Sequence, residues 1–237
     1  MLCVLVCAVV ASFSMERLDS PGPLPYVGVN LAGGEFLDPA KKPDARNGKD
    51  LIYPNTQQFA YFKSKGMNTF RLCFRWEVLQ PEPFGKILPL QLNELKQSVK
   101  AGTSLGMTIV LDPHNYARHN GKVVGVDLAA GALADFWTKL APEFKSEPNV
   151  WFGLVNEPYN MPTKVWFEEA NRCLASIRKT GARNRVLVPG NAWSGAHSWE
   201  ADWYGGANAI YSRSLKDPAN NFALEVHQYF DKDSSGT

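Results

Sequence analysis

Short apolar runs of strand length alternate with longer stretches of helical period along most of this chain. Tyr26 to Leu31 reads as a first strand and Thr69-Phe70-Arg71-Leu72-Cys73-Phe74 as a second. Met107 to Leu111, the run opening at Trp151, Val186 to Val188 and Phe222 to Val226 supply four more. Apolar residues that run on without alternation suit strands covered on both faces, as in a parallel sheet. Between the strands, Asn55 to Lys65 is predicted helical, with Asn55 or Thr56 as its cap and Gly66 as its stop. Leu90 to Leu105 carries Leu92, Leu95, Val99 and Leu105 after an early-helix Pro89. Ala130 to Phe144 and Thr163 to Thr180 are further helices, the second stopped by Gly181, and Trp193 to Tyr204 reads as a loop or broken helix. Strands alternating with helices imply α/β architecture around a parallel sheet. No low-complexity linker or long repeat interrupts the series, so one domain is expected.

The strand ends are where the pattern turns polar. Trp151-Phe152-Gly153-Leu154-Val155 leads into Asn156-Glu157-Pro158. Pro158 cannot donate a ladder hydrogen bond, so the strand is predicted to stop there and leave Glu157 at its carboxyl end. In α/β barrels that end carries the chemistry. A Glu-Pro pair alone equally suits a solvated loop, and the other strand ends tip the balance. They read Asp112-Pro113-His114-Asn115-Tyr116, Pro189-Gly190-Asn191-Ala192-Trp193 and His227-Gln228-Tyr229. In the second strand, period two puts Thr69, Arg71 and Cys73 on one face and Phe70, Leu72 and Phe74 on the other. With the aromatic face towards helices Arg71 points inwards, which is costly unless a carboxylate meets it. Arg71 is therefore a site candidate. Glu225, two residues before His227, shares its face one layer deeper and is expected to be a buried hydrogen-bond partner. His119 and His197 are assigned to structure, and Glu35, Glu77 and Glu82 to loops or caps.

Composition narrows the ligand more than the fold. The 237 residues are 45% hydrophobic and 20% charged, an ordinary globular balance, with net charge +2. Nothing there argues for nucleic acid or an acidic membrane surface. The turn Leu31-Ala32-Gly33-Gly34-Glu35 lacks the spaced glycines of a dinucleotide fold, and no Walker sequence occurs. Seven Trp, eight Tyr and thirteen Phe exceed what one core demands, and loop Trp suits stacking on sugar faces. Any single Trp is still more often packing. A barrel that binds a neutral polar ligand fits best.

Met1 to Ser14 has the length of a signal-peptide core and is too short to span a bilayer. Val9-Val10-Ala11 supplies small residues near a cleavage point, although no Lys or Arg precedes the run. Residues 1–14 are read as a partial secretory signal and 15–237 as the mature, extracellular domain, with a buried N-terminal segment as the alternative. Cys3 and Cys7 would leave with the signal. Cys73 and Cys173 have no metal-ligand spacing and no indicated disulfide, so neither metal nor other cofactor is expected.

The motifs Gly28-Val29-Asn30-Leu31-Ala32-Gly33, Phe70-Arg71-Leu72, Asp112 to Tyr116, Asn156-Glu157-Pro158 and His227-Gln228-Tyr229 together resemble glycoside hydrolase family 5. The likeness is strongest to its secreted endo-β-1,4-glucanases. It implies an eight-stranded (β/α) TIM barrel and retaining hydrolysis of β-linked glucan by a monomer. On this resemblance Glu157 is the general acid/base, Asn156 holds a sugar hydroxyl, and Arg71 pairs with the nucleophilic carboxylate. His114 and His227 line the central subsite, Tyr229 bonds the nucleophile, and Asn115, Tyr116 and Trp193 contact substrate. The family's nucleophile is a Glu at the end of strand seven, and the sequence stops after strand six. Six of eight β/α units are thus expected, with exposed edges, no nucleophile, an Arg71 short of its carboxylate and no activity in the chain as written. A β-mannanase, or another β-glycanase of the same family, and a non-catalytic glucan-binding protein are the competing readings.

Overall fold

The computed structural model describes residues 23–37 and 46–233. The signal reading of residues 1–14 lies outside them. In chain order the elements are β1 (Gly28–Gly34), α1 (Thr56–Ser64), β2 (Thr69–Phe74), α2 (Trp76–Leu79), α3 (Pro89–Thr103) and β3 (Thr108–Pro113). A two-stranded ribbon of β4 (Arg118–His119) and β5 (Lys122–Val123) follows, then α4 (Ala132–Leu140) and β6 (Val150–Gly153). The described chain closes with α5 (Thr163–Lys179), β7 (Val186–Pro189), α6 (Asn208–Tyr211) and β8 (Phe222–Glu225).

Six strands form one sheet in the order β1-β2-β3-β6-β7-β8, and every neighbouring pair is parallel. Each strand lies beside the one before it, with no reversal of the kind that creates the crevice of a doubly wound sheet. Sequential parallel pairing with helical crossovers is the arc of an α/β TIM barrel. Among the described residues β1 and β8 have one ladder neighbour each. Beside them Tyr26, Val27, Leu224 and Val226 are exposed.

The predicted faces of β2 hold. Phe70, Leu72 and Phe74 are fully buried, with Phe59 of α1 edge-on to Phe70 at 5.1 Å between ring centroids. Burying such a side chain contributes roughly 1.5–3 kcal/mol. Helix α1 begins where its cap allows: Asn55 Oδ1 accepts from the Gln57 and Gln58 amides, and Gln58 Oε1 accepts from the Asn55 amide. This reciprocal pair satisfies amides that have no helical partner. Helix α5 buries Trp166, Phe167, Ala170, Cys173, Leu174 and Ile177 and ends before Gly181, which turns the chain at φ +86°.

The strand expected to run to Glu157 stops at Gly153. The Trp137 indole donates to the Leu154 carbonyl at 3.0 Å, which takes that carbonyl out of the ladder. The Asn156 amide instead donates to the Pro113 carbonyl at 2.9 Å, so Glu157 belongs to a loop strapped across the end of β3. Strand β1 also runs later than predicted, through a bulge between Leu31 and Gly34. Both Cys73 and Cys173 are buried free thiols. No helix of the described residues is long and apolar enough to cross a membrane.

Candidate active site

The carboxyl ends of β2, β3, β6 and β8 bring charged side chains into one connected chain. Arg71 points inward from β2, as its alternation requires. Its Nη1 lies 2.7 Å from Asp112 Oδ2 and its Nη2 lies 3.0 Å from Glu225 Oε1. Nη2 also donates to Asn156 Oδ1 at 2.8 Å. Register puts Asp112 beside Cys73 of β2, and Asp112 is wholly buried. His114 Nδ1 approaches the same Asp112 Oδ2 at 2.7 Å. At the other end, His227 Nε2 is 3.0 Å from Glu225 Oε1 and its Nδ1 is 2.6 Å from Glu157 Oε1. The sequence His114, Asp112, Arg71, Glu225, His227, Glu157 therefore alternates nitrogen bases with carboxylates across the barrel mouth.

The electrostatics follow from that alternation. Burial opposes a charge on His227, but the hydrogen bonds to Glu157 and Glu225 outweigh it and raise its pKa to about 9. At neutral pH His227 is an imidazolium with both ring nitrogens donating. Burial likewise opposes the Arg71 charge, and Asp112 and Glu225 more than offset it. The expectation that Arg71 is left without a carboxylate is corrected here, because β3 and β8 each provide one. Glu225 is the buried partner that its spacing to His227 predicted.

Backbone strain concentrates at the same mouth. Glu157 has φ +39°, Tyr116 +55° and Trp193 +56°, conformations that side chains other than glycine rarely adopt. Each costs on the order of 1–3 kcal/mol and persists where neighbours over-determine it. For Trp193, its amide donates to the Pro158 carbonyl at 3.0 Å. For His227, its amide donates to the Ser194 carbonyl at 2.9 Å and its carbonyl accepts from Ala196 at 2.8 Å.

Tyr116, Glu157, Trp193, His197, Trp203, His227 and Tyr229 line a cavity of about 490 Å³ over this network. Trp193, Trp203 and Tyr229 are 43%, 46% and 52% exposed, so its walls are aromatic and wet. A hollow of similar size lies at the opposite end of the strands, lined by Tyr26, Trp151 and Arg185, and carries no convergent acid and base. Of the residues singled out in the sequence, Arg71, Asn156, His114, Glu157, His227, Tyr116, Trp193 and Tyr229 converge on the cavity or the network beneath it. Asn115 does not join them. It is buried, its Oδ1 accepts from the Trp76 amide at 2.7 Å, and its Nδ2 donates to Glu77, so it holds the start of α2. Glu77 is correspondingly no loop residue: it is a buried acceptor for Asn115 and the Asn120 amide. His119 is buried against Trp76 and bonded to the Gln80 carbonyl. Asp112, Tyr159, Trp203 and Arg118 were not singled out. The i, i+2 spacing of Asp112 to His114 was the available signal for the first.

One group among the described residues, Cys73, Asp112 and His114, brings potential metal-ligand atoms within 4.8 Å. The donors do not suit a divalent ion such as manganese, which prefers several oxygen ligands. Asp112 is already neutralised by Arg71, and burial together with Asp112 pushes the Cys73 thiol well above its ordinary pKa. Arg71 supplies the positive charge that a metal would.

Comparison with known proteins agrees with this geometry. Residues 33–237 match the family model described as cellulase (glycosyl hydrolase family 5). The chain belongs to that family. It is 32% identical to the manganese dependent endoglucanase Eg5A of Phanerodontia chrysosporium, over 99% of this chain and 61% of the relative. With endoglucanase gh5-1 of Neurospora crassa it shares 36% identity over 91% of this chain and 53% of the relative. It thus spans between about half and about two thirds of the length of the curated relatives it matches. Among solved structures, XacCel5A in complex with cellopentaose superposes with TM-score 0.84 at 49% identity, over 90% of this chain and 67% of that one. An endo-beta-1,4-glucanase from Xanthomonas axonopodis pv. citri superposes with the same score and coverage at 43% identity.

Proposed function

We propose that these residues carry the acid/base half of a retaining endo-β-1,4-glucanase active site in a secreted, monomeric enzyme. The observation that carries the reading is Glu157, held at the barrel mouth by an imidazolium and facing an aromatic-walled cavity. In retaining hydrolysis one carboxyl group protonates the leaving oxygen while a second, about 5 Å away, attacks the anomeric carbon. Glu157 is suited to the first role because His227 fixes its carboxyl group at the mouth, and the water that later attacks the glycosyl-enzyme returns its proton. Asn156, anchored through Arg71, would meet the hydroxyl beside the anomeric carbon, and His114 and Tyr229 would border the central sugar. Tyr116 and Trp193 offer ring faces to pyranose units. Asp112 and Glu225, the two other carboxylates of the network, both pair with Arg71 beneath the cavity. On the family resemblance the second carboxylate is a Glu at the end of a seventh barrel strand.

The names of the relatives, endoglucanases in each case, and the cellopentaose bound by one of them support glucan as the substrate. The manganese in the name of one relative finds no matching donor set among the described residues. Hydrolysis of carboxymethylcellulose, mixed-linkage β-glucan and β-mannan, measured on a chain extended through two further β/α units, tests the proposal. Glucan turnover that disappears in Glu157→Gln is expected. A preference for mannan would discard the glucanase reading and leave the barrel standing.

A further inference from the structure

Three flat groups lie one upon another beside the cavity. The Tyr159 ring stacks on the Trp193 indole with centroids 4.8 Å apart and planes 11° from parallel. The Arg118 guanidinium carbon sits 3.9 Å over the same Tyr159 ring. One face of a tyrosine cannot hold both, so Arg118 and Trp193 occupy opposite faces of Tyr159. Trp193 then has one face covered by Tyr159, and it lines the cavity while remaining 43% exposed. Arg118 does more than stack. Its Nη1 donates to the Tyr116 carbonyl at 2.7 Å and its Nη2 to the Tyr159 carbonyl at 2.9 Å. The first belongs to the loop after β3 that carries His114. The second belongs to the loop after β6 that carries Glu157.

We propose that Arg118 is a positioning residue for glucan binding, setting the tilt at which Trp193 presents its free face to a pyranose ring. The inference rests on the glucan reading above and adds a residue outside the motifs that led to it. A planar guanidinium is required, because it stacks and donates in two directions at once, whereas a lysine ammonium does one or the other. Without it Tyr159 loses its backing layer. Trp193, already held in a left-handed conformation, is then backed only by a Tyr159 ring that is itself no longer fixed.

The test is cellopentaose binding by calorimetry on wild type, Arg118→Gln and Arg118→Lys, with melting temperature measured in parallel. Loss of the planar layer that fixes Tyr159 behind Trp193 should weaken binding by about fivefold or more in both variants. Lysine should recover melting temperature but not affinity, a split that a merely structural role does not produce. Should Arg118→Gln fail to fold, Tyr159→Leu removes the middle layer while keeping both carbonyls, and it should lose affinity likewise. Wild type that binds cellopentaose while the folded variants bind within about twofold of it overturns the positioning role alone. Wild type that ignores cellopentaose overturns the glucan reading and the ligand named here with it.

Discussion

His227 Nδ1 lies 2.6 Å from Glu157 Oε1, across 70 residues of sequence and between two loops that leave different strands. The contact fixes a carboxyl group whose own backbone is strained, and it does so with an ionised donor, which strengthens the bond. A general acid gains only where the leaving oxygen needs its proton. Glu157→Gln in the extended enzyme should therefore keep binding and lose turnover severely on cello-oligosaccharides. Aryl glycosides with good leaving groups should lose far less in the first, glycosyl-transferring step. Comparing pre-steady-state rates on the two substrate types checks this, and equal losses would remove Glu157 from the acid role.

The same imidazolium ties stability to pH. The pKa of His227 is about 9 in the folded chain against an ordinary 6.5. The folded state thus binds the proton more tightly than the unfolded one. The stabilisation is complete below pH 6.5 and is lost as pH rises through 9. Wild type should show a falling melting temperature across that window, and His227→Gln should lack this component of the fall. Glu225→Gln should bring the histidine titration down towards 6.5 by removing the charge from one of its two acceptors. A histidine that titrates near 6.5 in the wild-type nuclear magnetic resonance spectrum would contradict the assignment.

Local chemistry made part of this site readable in advance. The bounds of β2 follow from Thr69 to Phe74 because alternation and burial coincide there. Helix α5 follows from a stripe of apolar residues and the stop at Gly181. Arg71 stood out as an inward charge, and the spacing of Glu225 to His227 put them on one face. What escaped the sequence depends on partners far along the chain. The end of β6 at Gly153 is set by an indole 17 residues earlier reaching the Leu154 carbonyl. Asn115 reads like a substrate contact until Trp76 and Glu77, 39 and 38 residues before it, claim both ends of its amide. Arg118 and Tyr159 carry no motif at all, and only the fold lays one over the other.

Metal removal is a separate test. The one cluster of potential ligands among the described residues contains a thiol held protonated by burial and a carboxylate already paired with Arg71. Chelation followed by dialysis should leave glucan hydrolysis unchanged, and added manganese should not raise it. A dependence on manganese would mean that oxygen ligands are recruited from elsewhere. The same burial should leave Cys73 unreactive towards maleimides in the native chain, since the thiolate is the attacking species.

Arg71 is the hinge of the network, and its removal separates stability from chemistry. Its side chain is 12% exposed and meets Asp112, wholly buried, and Glu225, 9% exposed. Arg71→Met keeps the length and removes the charge, which leaves Asp112 without its cation and Glu225 with His227 alone. Breaking a buried ion pair by deleting one partner costs roughly 3–5 kcal/mol, a large share of a domain's whole stability. Part of that cost is avoidable, because one carboxylate can take up a proton. Arg71→Met should thus be least destabilised in acid and worst above neutrality. The double variant Arg71→Met with Glu225→Gln should recover a measurable fraction of the loss, since it removes one of the stranded charges. Urea unfolding of the four proteins at pH 5 and pH 8 gives the coupling directly. Additive losses at pH 8 would mean that Glu225 does not depend on Arg71, and that the chain of contacts from His114 to Glu157 is broken in the middle.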